Sequence, residues 1–175
     1  MSLAKRILRD ERGNAVVEFA FVLPMMLLVF VGVVEMTHLL RLERKVVAAA
    51  QTAADLVTQR REVDTAQLDD ILTAVELIFD PFPASGHSVG VVGVRYDPDT
   101  GNPAVDWSAS KNGGSAPNAL TQAVGLGGPG EGVVVVRVVY RYSPVFFDFI
   151  MGETDIEETA VLRPRRSSFV QGPGA

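Results

Sequence analysis

Residues 15–34 read AVVEFAFVLPMMLLVFVGVV, twenty residues in which Glu18 is the one ionisable group. As a helix rising ~1.5 Å per residue the run is roughly 30 Å long, the thickness of a bilayer's hydrocarbon core. A buried core helix in a domain this small would show a polar face, and Phe19 to Val34 has none. A cleaved secretory signal fits less well. The run is longer than a signal core, no small-x-small cleavage site closes it, and Glu35 to Leu42 continues in helix-compatible sequence. The expectation is a transmembrane helix over residues 14–36.

Working outward, the pattern changes after the span. Leu39, Leu42, Val46, Ala49, Ala50, Ala53, Leu56 and Val57 recur at three- and four-residue steps, the spacing of one helix face. The first helix is therefore expected to run on to about Gln59, with residues 37–60 as an amphipathic extension that packs under the head, its small residues permitting close approach. Asp64 is placed to cap a second helix, with Gln67 at the capping-box position. Leu68, Ile71, Leu72, Val75, Ile78 and Phe79 form that helix's apolar stripe, and Asp80-Pro81-Phe82-Pro83 ends it.

Three later segments read as strands: Ser88 to Tyr96, Val133 to Tyr142 and Ile156 to Arg163, with a short one around Val105 to Trp107. In the second of these, Val134, Val136, Val138, Tyr140 and Tyr142 share one face while Arg137 and Arg141 mark the other, as in a half-covered antiparallel sheet. The helix from Asp64 is the expected cover. Residues 108–132 are rich in Gly, Ala, Ser, Asn and Pro and read as a long loop, and residues 167–175 as a frayed tail. The fold class expected is α+β: a long N-terminal transmembrane helix continuing into an amphipathic helix, then a second helix packed on a small antiparallel sheet. That second part is a head over residues 61–166, expected to fold without the membrane.

The chain of 175 residues carries a formal net charge of −5 and no cysteine. An acidic balance without a dominant Lys/Arg cluster argues against a nucleic-acid partner. Cysteine-free composition excludes disulfides, thiolate metal sites and cysteine nucleophiles. Lys5, Arg6, Arg9 and Arg12 precede the apolar run and Arg41, Arg44 and Lys45 follow it, a bias of four to three toward a cytoplasmic N-terminus.

At Gly13-Asn14-Ala15-Val16-Val17-Glu18-Phe19 the sequence resembles the processing site of type IV prepilins: a glycine before the scissile bond, a glutamate fifth after it, then an aromatic. A cationic leader precedes it and an apolar helix follows. The longer stretch RGNAVVEFAFVLPMMLLVFVGVVEM resembles the N-terminal signature of the TadE-like proteins, minor pilin-like subunits of the tight adherence (Tad/Flp) pilus system, and Pro24 sits where that family usually has it, as a helix kink.

The resemblance implies a leader of residues 1–13 removed by a prepilin peptidase between Gly13 and Asn14. It also implies a role for Glu18 and Phe19 in assembly, with the Glu18 carboxylate pairing with a new N-terminal amine. The partners implied are the membrane, the prepilin peptidase, other pilin-like subunits and the pilus assembly platform. The location implied is the bacterial inner membrane, with the N-terminus cytoplasmic, the head periplasmic, and incorporation into a surface pilus open. An uncleaved signal-anchored envelope protein with a ligand-binding or scaffolding head is the alternative.

Candidate sites in the head have plainer readings. Asp97-Pro98-Asp99-Thr100-Gly101-Asn102 spaces its acids as a calcium loop does, but Asn102 and Ser108 stand where an EF-hand needs glycine and glutamate, so a hairpin turn is expected. His38 and His87 lie far apart and lack a metal-ligand pattern. No catalytic motif set appears, and neither an enzyme nor a cofactor is expected. Phe146, Phe147, Phe149, Ile150 and Met151 make an apolar connection between strands, readable as core filling or as an exposed docking patch.

Overall fold

The computed structural model describes residues 12–146, 148 and 152–173. Helix α1, Arg12–Thr58, is 47 residues long, with Pro24 inside it. Pro24 lacks the N–H that would bond the Ala20 carbonyl. Among the described residues α1 is the one helix long and apolar enough to cross a membrane, and none of its apolar window is buried against the rest of the chain. Lys5, Arg6 and Arg9 of the expected leader lie outside the described residues.

Beyond the apolar run α1 acquires a buried face. Leu42, Val46, Ala49, Ala50, Ala53, Ala54 and Val57 are fully buried. Leu42, Val46 and Val57 each contribute about 1.5–3 kcal/mol of burial. The four alanines supply little area, but they let the helix lie close on strands β3 and β4.

Helix α2, Thr65–Glu76, starts where the sequence signals it. The Asp64 carboxylate accepts from the Gln67 N–H at 2.7 Å and the Gln67 side chain accepts from the Asp64 N–H at 3.4 Å, the reciprocal capping box. Leu68, Ile71, Leu72 and Val75 face the core, and a 3-10 turn, Leu77–Phe79, ends the helix by burying Phe79. Lys45 of α1 donates to the carbonyls of Ile78 (2.6 Å) and Asp80 (2.7 Å), tying the two helices at this end.

Four strands, β1 His87–Tyr96, β2 Pro103–Lys111, β3 Gly132–Tyr142 and β4 Thr154–Leu162, form one antiparallel sheet in the order β2-β1-β3-β4. The architecture is α+β. Alternation in β3 sends Val134, Val136, Val138, Tyr140 and Tyr142 into the main core under the helices.

Five sequence expectations change in detail. The cover over the sheet is shared: α2 lies beside β2, while α1 covers β3 and β4, so the head's core begins inside α1 and not at residue 61. Strand β2 spans nine residues and not three, because an edge strand alternates and its polar members Asp106, Ser108 and Ser110 mask it.

The segment after β2 is packed rather than loose. It carries a short helix α3, Ala119–Ala123, whose Ala119 and Ala123 meet Val92, Val94, Tyr96, Val133 and Val135 on the sheet's other face. That face is therefore covered at one end. The C-terminal tail is also anchored. Val170 is buried, Gln171 exchanges backbone hydrogen bonds with Arg61 and Val63, and the Trp107 indole N–H donates to the Val170 carbonyl at 2.9 Å. Gly93 and Gly172 leave room for that indole: a Cβ on either would lie 2.0–2.2 Å from it.

Candidate functional site: the membrane-to-head junction

The Glu18 side chain stands exposed on the N-terminal part of α1, as does Phe19, 58 % exposed. The backbones of Gly13 and Asn14 lie in the first turn of the same helix. Gly13, Asn14, Glu18 and Phe19 thus occupy consecutive turns at one end, and Pro24 follows less than two turns later. Among the described residues this end is not buried against the head: none of the apolar window is buried.

The other end of the span is built differently. Glu35 directly follows the apolar run and is only 6 % exposed. Its carboxylate accepts three hydrogen bonds from one stretch of chain at the end of β3: the Tyr142 hydroxyl, the Val145 N–H (3.0 Å) and the Phe146 N–H (2.9 Å). A buried carboxylate without donors would cost several kcal/mol, so these three bonds make its burial tolerable and hold the β3–β4 connection against α1. Burial first, and the adjoining Glu35 carboxylate second, push the Tyr142 phenol far above its ordinary value.

Sequence reading passed over Glu35 because its partners lie 107 to 111 positions away. The available signal was an acid at the lip of an apolar span, where an unpaired carboxylate is expensive. Of the five residues of the apolar connection, Phe146 is described. Val145 is 65 % and Phe146 51 % exposed, so Phe146 does not fill the core. Phe147, Phe149, Ile150 and Met151 lie outside the described residues.

An aromatic row sits beside the junction. His38 meets Phe82 edge-on at 6.4 Å, Phe82 meets Tyr140, Tyr140 meets Phe79 at 5.2 Å, and Phe79 stacks on His87 at 5.0 Å. The two histidines therefore stand at opposite ends of the row. Among the described residues no group of three or more His, Cys, Asp or Glu is placed to hold a metal ion. A cavity of about 340 Å³ next to His38 is edged by Arg41, Arg44 and Lys45, cations one to three turns beyond the span where headgroups begin.

The Asp97 turn is a hairpin connection. One Asp97 carboxylate oxygen accepts from the Asp99 N–H, the Thr100 N–H and the Thr100 hydroxyl at 2.7–3.0 Å, and these bonds, that from the Thr100 N–H foremost, hold its carboxyl below the usual range. The carboxylate is engaged by its own turn. A groove of about 580 Å³ beside β1 and β2 is lined by Gly90, Val92, Ser108, Ser110, Ser115 and neighbours without an ionisable side chain.

The fold and junction define a class: a protein whose N-terminal helix is long and apolar enough to span a membrane and continues as a structural stem inside a small α+β head. Residues 13–55 match the family model of TadE-like protein, consistent with a TadE-like protein of the Tad pilus system. The match covers roughly a quarter of the chain, from the glycine of the prepilin-like motif through the span and most of the stem. No curated protein and no solved structure matches the chain.

Proposed function

We propose that this chain is a minor pilin-like subunit of a Tad (Flp) pilus system that acts by packing against other subunits and not by catalytic turnover. It is held in the bacterial inner membrane by α1, with its N-terminus cytoplasmic and its head periplasmic. A prepilin peptidase removes residues 1–13. The observation that carries this reading is the extent of the TadE-like match, which begins at Gly13 and runs through the span into the buried stem.

Cleavage after Gly13 would create an amine at Asn14, four residues before Glu18 and on the same helix face. In an apolar medium that amine needs an anion, and the positive end of the helix dipole also favours one there. Glu18 supplies it, either to its own amine or to that of a neighbouring subunit, which would align helices at a set stagger. Phe19, exposed beside it, adds apolar area to the same contact.

N-terminal sequencing of protein recovered from native membranes tests the reading. A start at Asn14, lost when Gly13→Leu blocks access to the scissile bond, is the expected result. A start at Met1 or Ser2 would instead favour an uncleaved signal-anchored envelope protein.

A further inference from the structure

The β3–β4 connection leaves the sheet beside α1 and presents Val145 and Phe146, both more than half exposed. Its height along α1 is fixed by Glu35, whose carboxylate takes the N–H groups of both residues. Glu35 follows Val34, the last residue of the apolar run, and side chains on a helix lean toward its N-terminus, here the membrane side. The carboxylate and the two residues bound to it therefore lie at or just inside the level where the span ends. At that level α1 also exposes Val33 (61 %) and Met36 (56 %).

We propose that the chain just after β3 makes a second membrane contact, in which Val145 and Phe146 enter the interface of the bilayer that holds α1, at a depth set by Glu35. The inference rests on α1 spanning that bilayer. An aromatic ring next to an aliphatic side chain at the boundary gains by burial among headgroups and upper acyl chains. Asp148, exposed two residues later, carries a charge that favours the interface over the hydrocarbon at that point of the chain. Helix tilt is governed by interfacial anchors, so a loop locked to α1 at one side of the span fixes the tilt and rotation of the stem, and with them the face the head presents along the membrane.

The chain has no cysteine, so single nitroxide labels are introduced cleanly. The full chain is reconstituted in phosphatidylcholine vesicles with a label at Phe146→Cys, at Phe30→Cys in mid-span, or at Val124→Cys, an exposed apolar site at the far end of the head (66 % exposed). Collision with dissolved oxygen is compared with collision with a water-soluble nickel chelate. The expected result is oxygen-dominated collision at 30 and 146 and nickel-dominated collision at 124. Oxygen at 30 with nickel at 146 overturns the loop contact while leaving the span intact. Nickel at both 30 and 146 overturns the span and the loop contact together. Where Phe146→Cys perturbs folding, a label at Val145→Cys reads the same contact.

Discussion

Helix α1 has two halves that obey different rules. Over residues 15–30 every side chain is exposed although nearly all are apolar; from Glu35 onward one narrow face is buried and the rest is polar or exposed. A half that is apolar all round and touches no protein is adapted to lipid. A half with a stripe of Leu, Val and Ala at helical spacing is adapted to a sheet. One unbroken helix thus carries the chain from one solvent into a folded core, and Glu35 marks the change.

The largest expected effect comes from cutting the chain on either side of that stem. A chain beginning at Glu35 keeps Leu42 to Val57 over β3 and β4 and should be soluble and monomeric, with mixed helix and strand by circular dichroism. A chain beginning at Asp64 leaves Val134, Val136 and Val138 uncovered and should aggregate. Equal solubility of the two would show that the stem is dispensable to the head.

Single substitutions sharpen the contrast. Leu42→Ala should lower head stability by about 2–5 kcal/mol, because it opens a cavity in a fully buried site. Phe30→Ala, an exposed residue of the span, should leave it unchanged. Urea unfolding of the full chain in detergent micelles, followed by Trp107 fluorescence, measures both.

Glu35→Ala should have an intermediate effect, since it strands the Tyr142 hydroxyl and two backbone N–H groups at about 1–3 kcal/mol for a buried unsatisfied group. Amide exchange at Val145 and Phe146 should accelerate while exchange in β1 stays slow. Unchanged exchange at both would remove Glu35 from its clamping role.

The smallest effect is one of pH. Burial raises the phenols of Tyr96, Tyr140 and Tyr142 above the ordinary value of 10.0. The folded state then holds protons that the unfolded state releases near pH 10, so stability is whole below that pH and falls as pH climbs toward the folded values. Tyrosinate absorbance of the folded chain should rise later than that of the urea-unfolded chain. Coincident curves would contradict the burial of these hydroxyls.

Much of this was legible locally. The α1 and α2 stripes, the Asp64–Gln67 capping box and strands β1, β3 and β4 follow from periodicity and turn residues, signals that need only a dozen neighbours. What stayed hidden depends on distant partners. The tail reads as loose until Trp107 is seen to hold Val170, and residues 108–132 read as loop until Ala119 and Ala123 are seen against Val133 and Val135. Glu35 belongs to the same class. At the N-terminal end the prepilin-like motif from Gly13 to Phe19 is legible because it lies within seven consecutive residues.

On this reading α1 lies in lipid up to Glu35 and in protein beyond it. Cysteines placed singly from residue 16 to residue 58 in the full chain, in sealed vesicles, and challenged with a membrane-impermeant maleimide test it directly. The predicted result is no labelling from 16 to 34, then labelling that returns with a helical period at exposed positions such as Leu40, Arg44, Ala48 and Gln51 while Leu42, Val46 and Ala50 stay dark. Periodic labelling within residues 16–34 would mean that this half also has a water face, and would contradict the claim.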